Sequence, residues 1–432
     1  MVDNISVFWF RRDLRIRDNR GLAAALRSGY CTLPIFIFDT NILSELADTA
    51  DRRVDYILQA LKAVQKELQA YGSDLRVYIG DPLIVWKQLL TDYHVKSVYC
   101  NTDYEPAAIR RDAAVVALLQ KHSIPFYSFK DHVIFDKAEV VKQDGSPYTV
   151  FTPYSRKWKS LLSAQDYAAV QPHYNSLKRL EPIALPTLSA IGFTPTRIKY
   201  SKPVLDSHLV KEYALKRDYP SLDAGSGLGI ALRFGTLSVR EAVAFATLHS
   251  ETWLNQLIWR EFFMQILYHY PLVQQHCFKA KYENIPWQNN EDEFQLWCSG
   301  NTGYPLVDAG MNQLNQTGFM HNRVRMVVAS FLTKHLLIDW RWGEAYFAQK
   351  LNDYDLALNN GNWQWAAGCG CDAVPYFRVF NPSEQSRKFD PHQEYIKRWN
   401  PTAYTNPIAP IVDHSWARER ALRVYKLALH EG

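Results

Sequence analysis

Between residues 5 and about 128, short apolar runs alternate with longer amphipathic stretches. Ser6–Phe10, Leu33–Phe38, Leu75–Ile79, Ser97–Cys100 and Phe126–Phe129 have strand length and β-branched or aromatic content, while 51–70 and 104–121 repeat apolar positions at helical spacing. The alternation predicts βαβ units: a Rossmann-like α/β domain with a parallel five-stranded sheet covered by helices on both faces. No GxGxxG follows the first strand, where WFRRDLRIRDN stands instead, so an ordinary Rossmann nucleotide grip is not expected there. Residues 131–205, rich in Pro and polar side chains, read as an interdomain connection with short helical pieces, part of it packing across the domains. Beyond 205 the period becomes 3.6, and 238–248, 251–270, 291–298, 305–316, 319–337, 341–351, 392–399 and 415–429 read as helices. The expected organisation is an α/β domain at 1–130, a connection at 131–205 and an all-α domain at 206–432.

Composition narrows the class. With 432 residues, 47% hydrophobic and 22% charged, the chain is neither disordered nor fibrous and has room for a cofactor cavity. Aromatics are high at 14%, among them 13 Trp. A net charge of +5 fits a polyanionic partner, although 44 acids dilute any basic patch. The six cysteines include no CxxC, and a CxC at Cys369 and Cys371 without a second pair is poor zinc spacing, so buried free thiols in a reducing compartment are expected. MVDNISVFWF carries acid where a signal peptide carries base, and no run of 18 apolar residues occurs. A soluble cytoplasmic chain without a membrane partner is therefore expected.

Candidate chemistry gathers in the helical half. Met320–Leu332 begins cationic and becomes apolar, with no acid between Asp308 and Asp339. On a helix Asn322, Arg325 and Met326 share a flank. It reads either as a buried helix whose arginines pair with carboxylates or as a surface presenting a cation beside a thioether. Asn352–Asn360 supplies acids and amides and runs into 361–372, which reads as a turn carrying Trp363 and Trp365 between Gly, Asn and Asp. That stretch is either a satisfied polar network around a tight loop or a set of partners for a heteroaromatic ring. Asp223–Gly229 opens a helix, and its glycines permit close backbone approach to phosphate or merely a flexible turn. Trp259 beside Arg260 repeats the pairing of an aromatic with a cation.

WFRRDLRIRDN, TVFTPY, LIWREFF, TGYPLVDAGMNQLNQTGFMHNRVRM and NNGNWQWAAGCGCDAVPYFRVFNP together resemble the photolyase/cryptochrome family, most closely the bacterial class I photolyases that repair cyclobutane pyrimidine dimers. The resemblance implies FAD in the helical domain and, on the α/β domain, an antenna site that is either empty or holds methenyltetrahydrofolate, 8-hydroxy-deazaflavin or another flavin. Reduced FAD excited by blue light would donate an electron to a dimer flipped from damaged DNA. Tyr213 and the turn Gly225, Ser226, Gly227, Leu228 and Gly229 match the flavin-phosphate grip. Asp353, Asp355, Asn322 and Arg260 match cofactor positions, Arg325 is expected to pair with Asp353, and Asn359 matches the residue facing flavin N5. Lesion contacts are expected from Gln256, Trp259, Asn322, Met326 and Trp365, and DNA contacts from Arg217, Arg260, Arg323 and Arg378. Trp287, Trp340 and Trp363 match the outer, middle and flavin-proximal members of an electron relay, and Glu105 matches a folate-contacting acid.

The chain also departs from the family pattern. Gly225–Gly229 replaces Thr-Ser-x-Leu-Ser, which removes two hydroxyls and implies a weaker FAD grip. Gln256 stands for the usual glutamate and implies slower repair, while Val273 and Gln274 replace the Cys-Lys pair of some folate binders. Met326 favours dimer repair over (6-4) reversal. A monomer is expected. A signalling cryptochrome that keeps FAD without repair is the alternative, and an oxidoreductase of two diffusible substrates lacks a nicotinamide fingerprint.

Overall fold

The computed structural model describes residues 4–430. Its described residues form two compact units, one comprising 4–139, 158–205 and 228–248, the other 140–157, 206–227 and 249–430.

In the first unit, β1 (Asn4–Phe10), β2 (Cys31–Asp39), β3 (Arg76–Gly80), β4 (His94–Asn101) and β5 (Phe126–Phe129) build one parallel sheet in the order β3-β2-β1-β4-β5. β1 is central, with Val7 level with Leu33 on one side and Val98 on the other. Its apolar run is continuous because both faces are covered: Phe8 and Phe10 enter one core cluster, Ile5, Val7 and Trp9 the other. The crossovers are α1 (Arg20–Leu26), α2 (Arg52–Gln69), α3 (Pro82–Asp92) and α4 (Pro106–Gln120). Asn19, Asp51 and Asp81 cap the first three through their side chains. The pattern did not signal α3, since LIVWKQLL offers little polar face; Asp81 followed by Pro82 starts it.

Arg240, 1% exposed, ties this unit together. It donates through Nε to Asp18 Oδ1 at 2.9 Å and through Nη2 to Asp131 Oδ1 at 2.7 Å and the Asp18 carbonyl at 2.6 Å. Arg15 holds the other oxygen of Asp131.

The second unit is helical. Seven of its helices carry or flank most of the candidate residues: α5 (Glu251–His269), α6 (Glu291–Ser299), α7 (Pro305–Thr317), α8 (Asn322–Ser330), α9 (Trp340–Lys350), α10 (Leu356–Ala367) and α11 (His414–His430). The expected helix at 319–337 is shorter: His321 caps α8, a wider turn spans Phe331–His335, and Leu337 adopts φ +50°. The stretch read as a turn is α10, a correction with a plain cause. Asp355 accepts from the N–H groups of Ala357 and Leu358 at its start, and Gly368 at φ +94° ends it. Among the described residues no helix is long and apolar enough to cross a membrane.

Candidate functional site

A cavity of about 760 Å³, counting the open space at its mouth, lies between α8, α9 and α10 in the helical unit. Asn322, Arg325, Met326 and Ala329 of α8 line it, with Phe347 of α9, Asp353 and Asp355 of the following loop, and Leu358, Asn359, Asn362, Trp363 and Trp365 of α10. The chain places these groups by ordinary helical geometry. Asn322, Arg325, Met326 and Ala329 recur at spacings of three and four, and the Asn322 amide reaches Met326 Sδ at 3.9 Å.

Arg325 Nη2 donates to both oxygens of Asp353 at 3.2 Å, and its Nε donates to the Met320 carbonyl at 2.7 Å. Cation and carboxylate therefore stand together, each side chain about a quarter exposed (25% and 22%), with room to meet a ligand. Asp355 is buried and serves the start of α10. Asn359 gives its amide hydrogens to Glu344 of α9, at 3.0 Å to the carbonyl and 2.8 Å to Oε1. Those bonds leave the Asn359 carbonyl oxygen as the group that meets a ligand. Burial pushes the Glu344 carboxyl above its ordinary range, a rise the Asn359 bond only partly offsets. Nothing in the sequence singles out Glu344, because its partner comes from a different helix.

Trp363 is almost fully buried where α9 crosses it. A Cβ added at Gly343 would lie 2.1 Å from the indole Cη2, so only glycine lets the helix backbone come this close. Its ring neighbours are Phe347 at 5.0 Å and Trp297 at 6.1 Å. Trp340 is buried at the start of α9, and half-buried Trp287 meets Tyr425 edge-on at 6.0 Å.

Other expected residues lie outside the cavity lining. Trp259 stacks on Phe151 at 3.7 Å with planes 4° apart, and Gln256 bonds back to the Thr252 carbonyl on its own helix. Arg260 is buried beside them. Arg323 pairs with Asp218 at 2.7 Å and covers the Phe389 ring, Arg217 lies over Tyr213, and exposed Arg378 lies 5.7 Å from the Phe380 ring. Gly225, Ser226 and Gly227 belong to the helical unit, while Leu228 and Gly229 belong to the other, where a five-residue helix begins. In that unit Glu105 Oε1 accepts from Arg12 at 2.8 Å and Arg233 at 2.7 Å.

The donor set suits a flavin. Apolar and indole walls would hold a ring system, and a paired carboxylate, a guanidinium and three amides would offer partners to edges bearing N–H and C=O groups. Comparison with known proteins agrees. Residues 6–173 match the family model of DNA photolyase, and residues 253–421 that of the FAD binding domain of DNA photolyase. A deoxyribodipyrimidine photo-lyase of Synechococcus sp. is 36% identical over 97% of this chain and 96% of its own.

The chain belongs to the DNA photolyase family.

It is an FAD-binding enzyme of that family, consistent with light-driven DNA repair. Its solved relatives include an archaeal photolyase from Sulfolobus tokodaii with two FAD molecules, at TM-score 0.83 and 32% identity over 98% of this chain and 99% of that one. A second, from Agrobacterium tumefaciens, gives TM-score 0.88 at 30% identity over 99% and 98%. That protein is a bacterial class III photolyase, and it overturns the expected class I placement. The two longest motifs that suggested class I supply much of the cavity lining, where they mark the family rather than a class.

Proposed function

We infer that this photolyase splits cyclobutane pyrimidine dimers in DNA. The observation that carries the reading is the one cavity that Asn322, Met326 and Trp365 line together with Arg325, Asp353 and Asn359. One set suits a flipped, apolar, weakly paired lesion and the other suits the flavin. FAD, reduced and excited by near-UV or blue light, supplies the electron that opens the cyclobutane ring and takes it back.

The protein's part is binding and orientation. With FAD bound, Arg325 would hold Asp353 ready for a ring N–H, the Asn359 carbonyl would accept from a ring nitrogen bearing hydrogen, and Tyr213 with Gly225, Ser226 and Gly227 would hold the phosphates. Met326, Asn322 and Gln256 offer no group that donates a proton near neutral pH, and electron-driven ring splitting requires none. Illuminating the reduced enzyme with oligonucleotides bearing either lesion tests this. Dimer loss with (6-4) retention is expected, (6-4) reversal alone would overturn the substrate, and failure on both would favour signalling.

Trp363, Trp340 and Trp287 are proposed to carry electrons inward when the bound flavin is oxidised. Trp363→Phe keeps most of the packing against Gly343 and removes the oxidisable indole. Light-driven reduction with an added reductant should fall at least tenfold, about 1.4 kcal/mol of barrier, while repair by chemically reduced enzyme persists. Unchanged photoreduction would remove Trp363 from the relay.

DNA affinity should fall log-linearly with salt, and Arg378→Ala should flatten the slope by about 0.9 for damaged and undamaged duplex alike. An unaltered slope would place Arg378 away from phosphate. For the antenna, the two FAD molecules of the Sulfolobus relative make a second flavin the first candidate. Glu105, already bridging two guanidiniums, is a weaker candidate for a folate contact.

A further inference from the structure

Away from the cavity, the helical unit holds a cluster of reactive side chains that flavin binding leaves unused. Cys277 and Cys369 are 7% and 1% exposed, and their thiols are hydrogen-bonded to each other. Gln364 of α10 sets their spacing. Its Oε1 accepts from the Phe278 N–H at 2.8 Å and lies 3.8 Å from Cys369 Sγ, and its Nε2 donates to the His276 carbonyl at 3.1 Å. One side chain thus grips both neighbours of Cys277 and touches Cys369. The Lys279 N–H donates to the Cys369 carbonyl at 2.9 Å and closes the clamp.

Two further groups face the pair. Lys334 is fully buried, its Nζ donating to the Ala367 carbonyl at 3.0 Å and lying 3.7 Å from the centre of the Tyr425 ring. Burial draws its amine down to about 7, so a neutral, proton-accepting form is present beside Cys369. Cys277 faces the indole of Trp340, whose buried N–H has no partner of normal geometry. The bond from Cys369 pulls the Cys277 thiol below its ordinary range, while burial and then that donation hold Cys369 well above its own. The result is one sulfur that holds its proton less tightly, one thiol and one base, arranged next to an oxidisable ring.

We propose that Cys277 and Cys369 are a two-electron donor to Trp340, converting from dithiol to disulfide as they refill it. This role rests on the proposed relay, in which Trp340 loses one electron per photon. The Cys277 thiolate gives an electron to oxidised Trp340 and becomes a thiyl. Lys334 takes the Cys369 proton, the two sulfurs bond, and the excess electron on the S–S pair restores Trp340 after the second photon. Two electrons leave and one S–S bond forms. One proton rests on Lys334, and the other left when Cys277 ionised. One disulfide therefore matches one two-electron reduction of the cofactor, and exchange with an external thiol returns the dithiol.

Anaerobic illumination of the FAD-loaded protein without added reductant, followed by denaturing alkylation and peptide mass mapping, tests the proposal. A Cys277–Cys369 cross-link should appear in step with loss of oxidised-flavin absorbance, one per flavin, and Cys371→Ser should leave this unchanged. Cys369→Ser should stop donor-free reduction after one electron while reduction with added dithiothreitol continues. Both cysteines remaining alkylatable after donor-free reduction would overturn the proposal, as would donor-free reduction failing in the wild type while dithiothreitol supports it. Trp340→Phe separates the two ideas. If that variant photoreduces at the wild-type rate with dithiothreitol, the relay reading fails and the cysteine donor falls with it.

Discussion

Arg240→Ala is expected to lower the stability of the α/β unit by about 3–5 kcal/mol at neutral pH, the usual cost of stripping one partner from a buried ion pair. At 4 kcal/mol the folded-to-unfolded ratio drops roughly a thousandfold. The Asp18 carboxylate loses its guanidinium partner and Asp131 keeps only Arg15, since Arg240, 1% exposed, binds both carboxylates. The effect has a defined pH signature. Burial alone would raise the Asp131 carboxyl, but Arg15 and Arg240 outweigh it and hold the group at about 2, below its ordinary 3.8. A depressed folded value contributes stability that is complete above about pH 4 and disappears as pH falls through 2. The gap between wild type and variant should therefore narrow between pH 4 and 2. Urea unfolding at pH 7 and pH 3 measures it, and a variant within 1 kcal/mol of wild type at pH 7 would show that Arg15 suffices.

Asp353→Ala should purify folded but largely free of flavin. The Arg325–Asp353 pair is about a quarter exposed, so its loss threatens the fold little. Its value lies in presenting charge to a ligand. Losing a charge-assisted hydrogen bond of about 1.5–3 kcal/mol weakens retention roughly ten- to hundredfold. Asp353→Asn keeps an acceptor and should fall between. The ratio of flavin to protein absorbance after dialysis reads the outcome, and full retention in Asp353→Ala would remove this carboxylate from the cofactor's grip.

The sheet was legible because strands buried on both faces must be continuously apolar, as β1 and β2 are. α10 was not, for the complementary reason. Packed on nearly all sides and interrupted by Asn359, Asn360, Gly361 and Asn362, it shows neither an amphipathic stripe nor good helix formers. Tertiary contacts decide it: a Cβ at Gly361 would stand 2.2 Å from Phe263 Cδ1, so the glycine that looks like a turn is a packing site. At the cavity, the shared flank of Asn322, Arg325 and Met326 followed from helical spacing. Glu344 did not, because a hydrogen bond between α9 and α10 leaves no mark on either segment. The class was misjudged for a different reason: motifs placed around a shared cavity report what the family has in common.

The stack of Trp259 on Phe151 has a consequence in entropy. Phe151 is anchored by its own N–H to Asp372 Oδ2 at 2.9 Å, and the indole lies flat against it. A large aromatic side chain normally gives up rotamer freedom when a ligand fixes it, at about 0.5–1.5 kcal/mol for each side chain ordered at an interface. Trp259 has already surrendered that freedom in the folded chain, so any contact it makes with DNA would draw on a surface immobilised beforehand.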